Sequence, residues 1–301
     1  MSFLVRVPAT TANLGPGFDC LGLALNIWNE VEINVEGDQL LMEIQGMGSK
    51  ILPTTSENAI LRAMLVYAKL NHKPLPAGLR IKCTNCIPLG SGLGSSAAAA
   101  VAGILAATAV LGLKQDIEAQ LFCASQLEGH PDNVAPCLLG GLVASLMQDE
   151  KIITQKLGIA PFNLILIHPN FNFPTQLARA ALPNKILLSD AVFNASHLVF
   201  VVEALRSGDL GLLNSAMQDR IHQPYRLPLI PGSDAVITAA QKAGAVTVLS
   251  GAGPSLLVFS PDRSLNKKIS LEMQSAFQQA GLSSEVFFPE VSLKGAAVTS
   301  V

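Results

Sequence analysis

The chain has 301 residues, half of them hydrophobic and only 14% charged, with a formal net charge of −2. That is enough apolar material for a large core divided into two lobes around one cleft, and the weak net charge with no Lys/Arg stripe excludes a surface that tracks a nucleic-acid backbone. Any anion must therefore be held locally, by a built site.

In chain order, alternating or β-rich runs predict strands over 4–7, 30–35, 79–83, 142–147, 162–168, 245–249, 256–260 and 284–288. Helical periodicity predicts helices over 58–70, 95–111, 116–128, 175–181, 190–207, 211–218, 233–243 and 265–279. Strands and helices alternate irregularly, without the even spacing of a doubly wound sheet or barrel, which argues for an α+β fold. A lobe boundary is expected at the HPNFNFPT stretch, dividing the chain into 1–169 and 170–301.

The N-terminus, MSFLVRVPATTANLGPGFD, has neither an apolar run of signal-peptide length nor an arginine-rich presequence, so a cytoplasmic protein is expected. An uncharged stretch over 87–113 has the length of a membrane span. Its Ala and Gly content contributes little transfer energy, however, and no basic cluster flanks it, so a buried helix is expected and no membrane partner. Of the five cysteines, Cys83 and Cys86 form a Cys-x-x-Cys without a second pair. They sit on a predicted strand that points them to opposite faces, which favours a structural reading over a redox or zinc one.

Pro88, Leu89, Gly90, Ser91, Gly92, Leu93, Gly94, Ser95 and Ser96 follow a predicted strand and open a predicted helix. Glycines lacking Cβ let backbone N–H groups approach a ligand, and the helix N-terminus adds free donors and partial positive charge, so the loop is read as a phosphate cradle. An ordinary tight turn with a serine cap is the alternative. The loop lacks the Lys-Ser/Thr of a P-loop, and no acidic residue ends a following strand as a dinucleotide fold requires. Pro131 disfavours helical geometry at His130, so the 116–128 helix should stop near Gly129 and present His130 and Asp132 from a loop. A metal cluster of Glu128, His130 and Asp132 is disfavoured because the turn separates their directions.

The pattern Pro-x-x-x-Gly-Leu-Gly-Ser-Ser-Ala-Ala at 88–98 resembles the phosphate loop of the GHMP kinases, the superfamily named for galactokinase, homoserine kinase, mevalonate kinase and phosphomevalonate kinase. VPATTANLGPGFDCLGLAL at 7–25, EGHPDNVAP at 128–136 and HQPYR at 222–226 are similar to its homoserine-phosphorylating members, and LSGAGPSLLVF at 249–259 resembles the superfamily's C-terminal glycine motif. The resemblance implies a two-lobed α+β GHMP kinase fold. Its N-terminal nucleotide-binding lobe would be ribosomal S5 domain 2-like and its C-terminal lobe ferredoxin-like.

It further implies ATP and Mg²⁺, with the loop 88–96 on the nucleotide and Ser96 and Glu128 sharing the ion. Asn13, Asp19, His130, Asp132, Arg179, Arg226 and Gly251 would surround an L-homoserine acceptor, with Thr175 and Arg179 beside the reacting group. A zwitterion needs a carboxylate for its ammonium and guanidinium for its carboxylate, and Asp19 with the two arginines offers both. Asp19 held against an ammonium is a poor proton acceptor, so no general base is assigned. The resemblance also implies a homodimer. Another GHMP small-molecule kinase, of mevalonate or sugar type, and a catalytically silent metabolite sensor are the alternatives.

Overall fold

The computed structural model describes all 301 residues. In chain order the elements are β1 (Ser2–Ala12), β2 (Leu21–Asn34), β3 (Leu40–Gly46), α1 (Ala59–Leu70), β4 (Leu79–Asn85), α2 (Ser95–Val110), α3 (Ile117–Glu128), α4 (Val134–Leu139), β5 (Leu142–Gln148), β6 (Lys151–Leu157) and β7 (Asn163–Pro169). They continue with α5 (Thr175–Ala180), α6 (Leu188–Ser207), α7 (Leu210–Ala216), α8 (Gln223–Arg226), α9 (Ser233–Lys242), β8 (Val246–Leu249), β9 (Leu256–Ser260), α10 (Asn266–Gln279), β10 (Ser284–Phe287) and β11 (Ala297–Ser300).

Two sheets organise these elements. The first runs β11-β1-β2-β4-β3, with β5 also paired to β2 and β6 to β5. All its pairs are antiparallel except β3 with β4, which α1 connects. The second runs β10-β7-β9-β8 and is antiparallel throughout, the strand order of a ferredoxin-like unit. The expected division at 169/170 is corrected here: β7 hydrogen-bonds β9 and β10, so the second sheet begins at Asn163, and β11 carries the chain's end back to the first sheet.

Strand β7 shows how the second sheet is buried on both faces. Leu164 and Leu166 join the core shared with the first lobe, while Ile165 and Ile167 join a separate core under α9 and α10. With a two-residue side-chain period, a continuous apolar run is what such a strand requires.

Helix α2 is the uncharged segment of the sequence, and it is buried in the first lobe. Its small residues have a steric reason. A Cβ on Gly103 would stand 2.3 Å from the Ile60 carbonyl oxygen of α1, so the two helix backbones pack in close contact. Cys83 is buried and Cys86 exposed, and all five cysteines are free.

Strand β1 extends past the residues expected of it. A register shift between Pro8 and Ala9 absorbs the proline, which has no N–H for a ladder, and Thr10 and Thr11 continue the strand fully buried. This extension delivers the following loop, 13–20, to the cleft between the lobes.

Candidate active site

The phosphate-loop reading rests on donors that nothing else uses. Gly94 caps α2 in the left-handed conformation, φ 66°, and no side chain bonds the first turn, so the leading amides of the helix are free of protein acceptors. Gly90, Gly92 and Gly94 all have positive φ. A Cβ on Gly92 would lie 2.1 Å from the Ser250 carbonyl oxygen, and one on Gly94 would lie 2.1 Å from Thr10 Oγ1. The loop is thus wedged between β1 and the β8–β9 connection. Ser250 Oγ bonds both the Gly92 carbonyl, at 2.8 Å, and Thr11 Oγ1, at 2.9 Å. The 250–255 stretch is therefore a hairpin loop and a brace for the phosphate loop at once.

A cavity of about 410 Å³ opens in front of this loop. It brings together most of the residues singled out in the sequence: Asn13, Asp19, Gly90, Ser91, Gly92, Gly94, Ser95, Ser96, Glu128, His130, Asp132, Thr175, Arg179, Arg226 and Gly251. Three loop residues do not line it. Leu93 points into the core, fully buried; Pro88 is buried, its carbonyl accepting a bond from Ser91 Oγ at 2.7 Å; and Leu89 turns to a neighbouring cavity.

On one wall Ser96 Oγ donates to Glu128 Oε1 at 2.6 Å, joining the start of α2 to the end of α3. Burial pushes the Glu128 carboxyl above its usual range, with the Ser96 bond opposing it. Gly129, φ 83°, ends α3 where Pro131 requires it, and His130 Nδ1 then meets Asp132 Oδ1 at 2.5 Å. Burial alone would lower the His130 pKa, but the bond and charge of Asp132 outweigh it and raise it. The potential ligand atoms of Asp19, His130 and Asp132 lie within 4.8 Å of one another. Within it His130 Nδ1 is tied to Asp132 Oδ1 and both Asp19 oxygens to Arg179, so these contacts set the three side chains against one another.

The opposite wall comes from the first motif and the second lobe. The loop 13–20 is set by three non-glycine residues with positive φ, Asn13 (71°), Leu14 (48°) and Asp19 (52°), each of which needs the surroundings to hold it. Asn13 does so from both ends of its amide: Oδ1 accepts from the Asp19 N–H at 3.0 Å, and Nδ2 donates to the Gly251 carbonyl at 2.8 Å. Asp19 faces Arg179 of α5 in a bidentate pair at 2.9 and 3.2 Å. Thr175 opens the same helix, one turn earlier and exposed.

Arg226 is 2% exposed. Its Nε donates to the Ala178 carbonyl at 3.1 Å and its Nη1 to that of Gly251 at 3.3 Å. Burial, with Arg179 adding to it, pulls its pKa down to about 10, still charged at neutrality.

Several residues of the site were not singled out by sequence reasoning. Thr10 Oγ1 donates to Asn133 Oδ1 at 2.9 Å, fixing the amide of a residue that lines the cavity. His222 is fully buried, stacked on Phe18 at 5.3 Å, and donates from Nε2 to the Gly15 carbonyl at 2.8 Å. A carbonyl only accepts, so this bond puts the proton on Nε2 and leaves Nδ1 to face Arg226 Nη1 at 3.5 Å. Asn133 and His222 both sat in quoted motifs, EGHPDNVAP and HQPYR. Only their tertiary partners, Thr10 and Gly15, reveal what they do.

A two-sheet fold with a glycine loop opening a helix, a carboxylate–hydroxyl pair at its mouth and a charged wall across the cavity defines a small-molecule kinase of the GHMP class. Family models for the GHMP kinase N-terminal domain match residues 58–141, and those for the C-terminal domain match 201–279. The chain is 45% identical to the homoserine kinase of Moorella thermoacetica over 93% of this chain and 94% of that protein. It is 40% identical to that of Synechocystis over 100% and 99%. The crystal structure of homoserine kinase from Cytophaga hutchinsonii superposes with a TM-score of 0.86 at 37% identity, covering 99% of this chain and 97% of that one. The chain belongs to the homoserine kinase family of the GHMP kinases.

Proposed function

We propose that the chain transfers the γ-phosphoryl group of MgATP to the side-chain hydroxyl of L-homoserine, giving the O-phosphohomoserine used in threonine synthesis. The observation that carries this reading is one cavity with the phosphate cradle and Ser96–Glu128 on one wall and Asp19, Arg179 and Arg226 on the other. Mevalonate and sugars have no ammonium to match Asp19.

The amides of the glycine loop and the first turn of α2 hold the phosphates. A second cavity of about 280 Å³ shares Gly90, Ser95 and Ser96 with the first and is walled by Ile44, Leu52, Ile60 and Ala102, an apolar slot suited to the adenine. Ser96 and Glu128 offer a hydroxyl and a carboxylate, the hard oxygen donors magnesium takes alongside phosphate and water oxygens. Bound there, the ion would neutralise phosphate charge as the phosphoryl group moves. Arg179 and Arg226 orient the acceptor through its carboxylate, Asp19 and Asn13 through its ammonium, and Thr175 sits at the rim beside them. Alignment and electrostatics supply the acceleration without an assigned general base.

Use of ATP supports a cytoplasmic setting. A homodimer is also part of this reading: α6 leaves Leu188, Val192, Val199 and Phe200 exposed, an apolar strip available to a second copy. Sedimentation at several concentrations tests it.

The functional experiment is ADP release by the purified protein with MgATP, comparing L-homoserine with mevalonate, galactose and no acceptor. Homoserine-dependent release is expected. Release with another acceptor only would overturn the reading.

A further inference from the structure

Arg226 is placed by residues that lie outside the cavity. A guanidinium carries five N–H groups. Here Nε donates to the Ala178 carbonyl and Nη1 to that of Gly251, while Nη1 also faces His222 Nδ1 at 3.5 Å. That leaves Nη2 for the cavity that Arg226 lines.

His222 owes its own position to a buried carboxylate. Between α7 and α8, four successive backbone amides converge on two side chains. The Arg220 N–H donates to Asn194 Oδ1 at 2.9 Å, and those of Ile221, His222 and Gln223 donate to the Asp219 carboxylate at 2.9, 2.8 and 2.6 Å. Asn194 Nδ2, from the buried side of α6, gives Asp219 Oδ1 a further donor at 2.6 Å.

The Asp219 side chain has no exposed surface, and its nearest basic group, His222 Nε2 at 3.6 Å, is spent on the Gly15 carbonyl. Burying an anion is costly where a neutral turn residue would close the same loop, so its charge needs a reason. Arg226 supplies one: the negative charge of Asp219 supports the buried guanidinium against desolvation. The segment so fixed also reaches the β8–β9 connection, where Gln223 Oε1 accepts the Leu249 N–H at 2.9 Å.

We infer that Asp219 is a positioning residue for the reaction, setting the 219–226 segment so that His222 holds Arg226 with Nη2 free for the acceptor. The inference rests on the homoserine reading above. Asp219 lines neither the acceptor cavity nor the apolar slot beside it, and it acts through His222 and Arg226 alone.

The test is a double-mutant cycle on kcat/KM for L-homoserine, with Asp219→Asn made in wild type and in Arg226→Lys. Asparagine keeps the shape but puts an NH₂ group where one oxygen accepts two N–H bonds. In wild type it should lower kcat/KM at least tenfold, through KM, with affinity for a fluorescent ATP analogue kept within threefold. In Arg226→Lys, where no guanidinium remains to be aimed, the further loss should be twofold or less. A merely structural role would lower the urea midpoint and give equal losses in both backgrounds, and that result overturns the inference. Asn194→Ala removes one donor to Asp219 and the acceptor of Arg220. It should repeat the pattern at about threefold in wild type and none in Arg226→Lys, which decides the matter if Asp219→Asn fails to bind nucleotide. A wild type inactive on homoserine overturns the functional reading and this inference with it.

Discussion

Ser96 Oγ lies 2.6 Å from Glu128 Oε1, a contact that ties the N-terminus of α2 to the C-terminus of α3 at the mouth of the glycine loop. Thirty-two residues separate the two in sequence. Neither is needed for the core, because Ser96 is exposed and Glu128 half-buried beside it.

In the proposed metal site, Glu128→Gln keeps the shape and the Ser96 contact but removes the charge that would hold a divalent ion. It should lower kcat and raise the magnesium concentration needed for half-maximal rate by tenfold or more, measured by titrating magnesium at saturating ATP. Burial raises the Glu128 pKa, so protonation would compete with the proposed metal at a pH above the ordinary carboxylate range. The magnesium requirement of wild type should therefore climb as pH falls through that window, and the variant's should not. Unchanged magnesium dependence in Glu128→Gln would remove this residue from the metal site.

The ease of reading the sequence followed burial. Elements whose pattern reports a packed face were legible: α1 and α2 were anticipated to within a residue, and β7 and β9 announced themselves as apolar runs. The strands β3, β6 and β11 were missed because they lie at the margins of the first sheet with mostly exposed or half-buried side chains; LLMEIQG and KIITQKL become strands through their partners' ladders. Helix α4 was missed because VAPCLL is six residues with a proline inside, held by complete surroundings more than by propensity. In the site, glycine spacing and charged residues stood out. The props did not: Thr10 under Asn133, and Asp219 accepting the Ile221, His222 and Gln223 amides, are contacts that no local pattern encodes.

The three loop glycines should respond differently to a methyl group. All have positive φ, so alanine costs about 1 kcal/mol of backbone strain at each. At Gly90 the nearest atom to a built Cβ is Asn172 Oδ1, 3.9 Å away, whereas Gly92 meets a carbonyl oxygen and Gly94 the Thr10 hydroxyl at 2.1 Å. Gly90→Ala should retain most ATP affinity, while Gly92→Ala and Gly94→Ala lose it by at least tenfold, read by calorimetric nucleotide titration. Equal losses at all three would mean that the free amides matter less than the loop's flexibility.

The two arginines of the proposed acceptor wall separate by what else they hold. Arg179→Ala should raise KM for homoserine strongly and leave both ATP binding and the unfolding midpoint nearly unchanged, because this side chain is substantially exposed. Arg226→Ala should raise KM as well, but it also strips donors from the Ala178 and Gly251 carbonyls and opens a void beside Phe18. A stability loss of about 1–3 kcal/mol in urea unfolding is expected. A destabilised Arg179→Ala protein would assign that residue a folding role instead.

His130, half-buried on the cavity wall, and His222, fully buried behind Arg226, have opposite electrostatics. The raised pKa of His130, held up by Asp132 against burial, means its charge pairing stabilises fully below the usual histidine range and is lost as pH rises through the raised value. The pKa of His222 is lowered by burial, so its neutral form stabilises above the usual range and that contribution is lost as pH falls. His130→Gln preserves a hydrogen-bond donor to Asp132 without the charge. Its stability deficit relative to wild type, from urea midpoints, should thus be larger at pH 6 than at pH 9, and the deficit of His222→Gln should be larger at pH 9 than at pH 5. Deficits that do not move with pH would mean that both rings act through shape alone, and the charge on His130 would then have no part in setting the loop that carries Asp132 into the site.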